Sequence, residues 1–203
     1  AYSTISKPSL YFNTKLYTGN GGTQSITGVG FQPDFVWLKR RDAGAGHKLN
    51  DAVRGVNKQL VSNNTNAEDS NTDILTAFGT DGFTLGNNSD VNNGSGTFVS
   101  WNWKAGTTGS GTTTGSGTGK AYSYSVNTTA GFSIVKYLGN GTSGHTIPHH
   151  LGSVPGMIIF KQLNASRGWG VYHQSRGAGK IIYLDENIAE QSANILTGTP
   201  TSS

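Results

Sequence analysis

The stretch PDFVWLK at residues 33–39 returns as PGMIIFK at residues 155–161, an offset of 155 − 33 = 122. In both copies a proline opens the run, a lysine closes it, and apolar residues fill the middle. The correspondence extends outward on both sides. LYTGNG at residues 16–21 returns as KYLGNG at residues 136–141, where 137 − 17 = 120. Arg54-Gly55, Lys58 and Ala67-Glu68 return as Arg176-Gly177, Lys180 and Ala189-Glu190, each at 122. Ile74-Leu75-Thr76 returns as Ile195-Leu196-Thr197, at 195 − 74 = 121. Ordered matches that drift by only two residues predict two copies of one module.

The repeated segments alternate apolar and polar residues with period two and are rich in β-branched and aromatic residues, the pattern of strands. Gly-Asn-Gly, Asp81-Gly82 and Asn93-Gly94 mark the turns between them. Helix is expected only as a turn or two within residues 50–59 and 186–192. Many short strands at even spacing predict an all-β chain of tandem β-sandwich or jelly-roll-like modules. The expected organisation is an N-terminal arm or anchor at 1–14, a first β-sandwich module at 15–104, a linker at 105–121 and a second module at 122–203. The linker reading rests on AGTTGSGTTTGSGTG, residues 105–119, whose Gly, Ser and Thr cannot build a core. The second copy has no counterpart of TFVSWNW, residues 97–103, before Ser203. Continuation past Ser203 is the expectation; strands supplied by another chain are the alternative.

Charged residues are only 13%, so the polarity comes from Thr, Ser, Asn and Gly and does not suit a charge-driven disordered tail. Cysteine is absent, which excludes disulfides and thiolate metal sites. No apolar run is long enough to insert in a membrane. The net charge of +4 is scattered except for Lys39-Arg40-Arg41, so no phosphate-binding surface is concentrated and nucleic acid is not expected as a partner.

In residues 97–103, Phe98, Ser100 and Asn102 face one way and Val99, Trp101 and Trp103 the other. The Trp face is expected in the core, the alternative being a sugar-stacking platform. Trp101 and Trp169 are therefore candidate ligand-binding residues. Arg54 and Arg176, matched between the copies, are also candidates; their alternative role is to clamp a loop. His145, His149 and His150 sit around Pro148 without a nearby acid, so no metal site is expected. Asp42, His47 and Asp51 have acid–base character, but no Gly-x-Ser-x-Gly elbow accompanies them, and no catalytic residue or cofactor is expected. Tyr2, Pro8, Tyr11 and Phe12 are candidates for an extended arm anchored on a partner.

Taken together, SKPSLYFNTKLYTGNGG, DGFTLGN, FVSWNWKAG and GFSIVKYLGNGTSGHTIPHH resemble a repeated module of marine phage virion proteins of the tail-fibre type. The resemblance implies a non-enzymatic virion protein that attaches to other virion proteins, a tail adaptor, nozzle or capsid, and projects β modules for host adhesion. Homo-oligomerisation, as a trimer, and host surface polysaccharide as a ligand are further expectations. The alternatives are a head-surface decoration protein that stabilises the capsid and a carbohydrate-binding module, with a depolymerase ranked last.

Overall fold

The computed structural model describes residues 5–193 and 195–203. Among these the protein is built almost entirely of antiparallel β-structure, in two compact units. The first comprises residues up to Ser62 together with Glu68–Gly106; the second comprises Asn63–Ala67 and Thr107–Ser203.

The first unit holds β1 (Phe12–Thr18), β2 (Gln24–Ile26), β3 (Phe35–Arg40), β4 (Lys48–Asp51), β5 (Lys58–Val61), β6 (Asp69–Ser70), β7 (Leu75–Gly79), β8 (Gly82–Leu85), the short helix α1 (Ser89–Asn92) and β9 (Thr97–Trp103). Six strands form one sheet in the order β1-β9-β3-β4-β5-β6, and three form a second, β2-β8-β7. Val36 and Leu38 from the large sheet pack with Ile26, Ile74, Leu75, Phe83, Leu85 and Val91. Burying such side chains is worth about 1.5–3 kcal/mol each relative to leaving them exposed, so this cluster is the core of a sandwich-like unit. Tyr17 closes one end, its ring stacked on Phe98 at 5.2 Å and its hydroxyl donating to the Val91 carbonyl oxygen at 2.8 Å. Residues 50–59 form strand and turn, and the helix falls instead at α1, where the Asn88 side chain accepts the Asp90 N–H at 3.0 Å.

The second unit holds β10 (Thr107–Thr112), β11 (Thr114–Gly115), β12 (Ala121–Asn127), β13 (Phe132–Tyr137), β14 (His145–Thr146), β15 (Met157–Phe160), β16 (Gly170–His173), β17 (Lys180–Tyr183) and β18 (Gln191–Ser192). They form the sheets β10-β12-β13, β11-β14 and β15-β16-β17-β18. Residues 105–121 are thus not a flexible linker. β10 pairs with β12 along its whole length, and β11 pairs with β14. The glycines that suggested flexibility have a packing reason. A Cβ on Gly109 would meet the Tyr124 ring at 2.7 Å, and one on Gly111 would meet the Tyr122 ring at 2.9 Å. Only glycine lets these rings lie across β10.

The internal repeat extends to the register. Phe35 lies opposite Asp51, and Met157 opposite His173, with 157 − 35 = 173 − 51 = 122. Leu49–Leu60 and Lys58–Ser70 recur as Val171–Ile182 and Lys180–Ser192. The meander β3-β4-β5-β6 is repeated as β15-β16-β17-β18. The Gly-Asn-Gly turn is repeated too: Asn20 Oδ1 accepts the Gly22 N–H at 2.8 Å, and Asn140 Oδ1 accepts the Thr142 N–H at 2.9 Å.

Candidate functional site

The first unit carries its polar surprise inside the sheet. Phe98, Ser100 and Asn102 of β9 are fully buried, whereas Trp101 and Trp103 are only half-buried. The face expected in the core is the less buried one at Trp101 and Trp103, although Val99, which shares it, is also buried. Asn102 is tolerated inside because its Nδ2 donates to the Ser100 hydroxyl at 2.9 Å and to the Asn13 carbonyl at 3.0 Å. The tryptophans are thereby turned outward.

Three neighbouring strands set the aromatic face. Phe12 on β1, Trp103 on β9 and Phe35 on β3 lie directly across from one another, and so do Trp101 and Trp37. Residues directly opposite share a face of a sheet. Phe12 and Trp103 have ring centroids 4.8 Å apart, Phe35 and Trp103 5.4 Å, and Trp37 and Trp101 6.3 Å, in tilted or edge-on arrangements. His47 completes the group, its ring edge-on to Trp37 at 5.8 Å. Trp37, His47, Trp101 and Trp103 line a shallow, open depression of about 330 Å³ whose walls are almost wholly apolar.

One polar interaction fixes this depression. The Trp37 Nε1–H donates to His47 Nδ1 at 2.8 Å. The acceptor nitrogen must be unprotonated, so the neutral imidazole with its proton on Nε2 is the bound form. Burial, with a smaller contribution from the Lys39 charge, lowers the His47 pKa and favours that form. The rings are held by each other and by strand register, and together they line one open apolar depression.

The other candidates fall elsewhere. Tyr2 lies outside the described residues. Pro8 opens a single 3-10 turn, Pro8–Leu10. Tyr11 and Phe12 are not a free arm: the Tyr11 carbonyl accepts the Lys104 N–H at 2.8 Å, and Phe12 begins β1. Trp169 is 4% exposed, its indole N–H donating to the Asn64 carbonyl at 3.1 Å and its backbone N–H to Asp185 Oδ1 at 2.8 Å. It is a core residue of the second unit and presents no binding face. Arg54 is a buried clamp, donating to Asp51, to Glu68 at 3.2 Å and to the Leu49 carbonyl at 3.0 Å. Its side chain is 5% exposed, which leaves it little surface to offer a ligand. Arg176 is exposed, 3.4 Å from Glu190.

The polar groups with acid–base character are each engaged separately. Asp42 pairs with Arg40 at 2.9 Å, Asp51 with Arg54, and His47 with Trp37. In the second unit His145 sits between the Thr113 hydroxyl and the Asn140 amide, both at 2.8 Å, and His150 stacks on Tyr124 at 3.8 Å. Among the described residues no group of three or more His, Asp or Glu side chains is arranged to hold a metal ion. No helix among them is long and apolar enough to cross a membrane.

Sequence reasoning identified Trp101 as a candidate ligand-binding residue but missed Phe35 and Trp37, and weighed His47 only for acid–base work, not as a neighbour of the tryptophans. The available signal was that Phe35 and Trp37 share a parity within PDFVWLK, as Trp101 and Trp103 do within TFVSWNW. Two aromatic runs on adjacent strands with the same parity make a platform once the strands pair.

A sequence model of the family described as "Domain of unknown function (DUF7483)" matches residues 7–203. No curated protein and no solved structure matches the chain.

Proposed function

The chain belongs to the DUF7483 family, and on this footing we propose that it is a non-enzymatic adhesion protein of the phage tail-fibre type, located on the virion, whose first unit binds host surface polysaccharide through its aromatic face. The observation that carries the adhesive role is the half-buried group of Trp37, Trp101 and Trp103 around one apolar depression. Half-buried tryptophans leave apolar ring surface in contact with water. A sugar ring laid on that surface releases this water and gains C–H contacts with the ring faces, with little ordering of the protein. The virion location, attachment to other virion proteins and trimeric assembly rest on the sequence resemblance. A decoration protein on the capsid is the second reading; it is separated from the first by copy number, hundreds per particle against tens.

Binding is tested by titrating the intact chain with polysaccharides from host cell surfaces. Trp101→Ala is expected to weaken binding by about tenfold or more, equivalent to ~1.4 kcal/mol, while the far-ultraviolet spectrum stays unchanged. Trp169→Ala is expected to destabilise the second unit without this selective effect. Unchanged affinity in Trp101→Ala would remove the aromatic face from the account. Release of reducing sugar by the wild-type chain would overturn the non-enzymatic reading.

A further inference from the structure

The aromatic face of the first unit ends in positive charge. Every second residue of a strand lies on one face, so Phe35, Trp37 and Lys39 share a face of β3. Lys39 lies opposite Val99, which follows Trp103 and Trp101 on the same face of β9. The Arg41 N–H donates to the Thr97 carbonyl at 2.8 Å, which carries the pairing of β3 and β9 past Arg40 and gives Arg41 the parity of Lys39. Residues of one face are spaced by roughly 7 Å along a strand. Two aromatic rings are thus followed by two cations in a single row, with Trp103 and Trp101 beside the rings.

Lys39 acts on the depression itself. Its ammonium uses one N–H on the Arg40 carbonyl, at 2.7 Å. Its charge is the second cause, after burial, that lowers the His47 pKa, so it is felt among the rings. Arg41 is exposed, and among the described residues its side chain makes no ion pair. Arg40 is a different case: it has the opposite parity, lies over the Phe98 ring at 5.9 Å and pairs with Asp42 at 2.9 Å. The acidic side chains around the large sheet are engaged elsewhere. Asp51 and Glu68 meet Arg54, and Asp90 meets Lys48. Asp34 accepts the Ala105 N–H at 2.8 Å, and Asp69 accepts from Gln59 at 2.9 Å. Among the described residues, the two cations of the row therefore have no protein carboxylate to cancel them.

Resting on the polysaccharide reading of this face, we infer that its ligands are acidic polysaccharides, whose sugar rings lie on Trp37 and Trp101 while their carboxylate or sulfate groups meet Lys39 and Arg41. The row supplies both halves of such a ligand's chemistry, flat apolar surface and uncancelled positive charge, in the order in which an extended chain would cross them. The planar guanidinium of Arg41 suits a two-oxygen anion, and the Lys39 ammonium acts as a point charge. Complementary charge contributes specificity and speed of encounter more than raw affinity, so the rings hold the chain and the cations select it. A single nucleic-acid strand also joins anions to stacking faces. Proteins that hold one track its backbone with a positively charged groove, and here Arg40 is turned out of the row.

The probes are a polyuronate, a sulfated galactan, a neutral glucan and a single-stranded oligothymidylate, each titrated into the intact chain by calorimetry. An acidic polysaccharide is expected to bind about tenfold more tightly than the glucan at about 0.05 M salt, an advantage that shrinks as salt rises to about 0.5 M. Preference for the polyuronate or for the galactan identifies carboxylate or sulfate as the anionic group. Lys39→Gln and Arg41→Gln are each expected to weaken that binding about threefold, and together about tenfold. Arg40→Gln removes the same charge from the other face and is expected to change affinity by less than about twofold. A loss in Arg40→Gln equal to that in Lys39→Gln would overturn the inference, because the attraction would then belong to the whole surface. Equal affinity for acidic and neutral chains, weakened alike by Trp101→Ala, would also overturn it and leave the polysaccharide reading standing. Acidic binding that Trp101→Ala leaves untouched would remove the aromatic platform and this inference together. Tighter binding of the oligothymidylate than of either acidic polysaccharide would make nucleic acid the ligand instead.

Discussion

Arg54 and Arg176 occupy equivalent positions in the two copies and live in different environments. The Arg54 side chain is 5% exposed and contacts Asp51 and Glu68; that of Arg176 is 59% exposed and lies 3.4 Å from Glu190. His173 stands where Asp51 does, since 173 − 51 = 122. The register around both is the same. The comparison teaches that the meander is specified by its own turns and alternation, whereas burial is specified by what packs on it. Exposed apolar side chains are concentrated in the second copy, from Met157 through Ile159, Ile182 and Leu184 to Ile188 and Ile195.

The largest expected effect separates the two arginines. Arg54→Ala leaves the Asp51 carboxylate, 4% exposed, without its cation. It is expected to destabilise the first unit by about 3 kcal/mol. Arg176→Ala is expected to shift stability by less than about 0.5 kcal/mol. Denaturant unfolding of the two variants measures both; equal effects would mean that the copies are equally buried.

A middle-sized effect is expected in β10. Gly109→Ala drives a methyl group into the Tyr124 ring, which is itself held by stacking on His150 at 3.8 Å. A cost of about 1–3 kcal/mol follows, whereas Ser110→Ala, on an exposed position, is expected to be silent. A true linker would tolerate both, so unfolding of these two variants sharpens the contrast between folded segment and spacer.

The smallest effect is confined to the first copy. His47 has Trp169 as its counterpart, and Trp37 has Ile159, so the indole–imidazole bond has no equivalent in the second. Because the folded-state pKa of His47 is lowered from 6.5, its contribution is fully present above that value and is lost as pH falls from 6.5 through the folded pKa. The Trp37 indole N–H resonance is expected to shift over that acid window in the wild type and not in His47→Gln. A resonance insensitive to pH would show that the bond does not hold the platform.

The repeat and the all-β class were legible because alternation, turn residues and an ordered offset are local features of the chain. Which face of β9 is buried was not legible. Trp101 and Trp103 carry more apolar area than Ser100 and Asn102, and area alone puts them inside. The answer depends on Asn102 finding partners on β1 and β9, a non-local matter. The segment 105–121 misled for a similar reason: its glycines are small because two tyrosines from β12 cover them, and nothing within the segment records those rings. Arg54 was legible as a matched residue, but its role required knowing that Asp51, Glu68 and the Leu49 carbonyl converge on it.

Residue-resolved amide exchange of the intact chain tests most directly whether the second copy is the first copy's meander with one neighbour missing. Val36, Trp37, Leu38 and Lys39 are expected to exchange slowly without interruption, because β3 has a partner on each side. In β15 the slow amides are expected to alternate, with Ile158 and Phe160 protected by β16 and Met157 and Ile159 open to solvent. Uninterrupted protection from Met157 to Phe160 in the monomeric chain, or alternation with the opposite parity, would contradict the account.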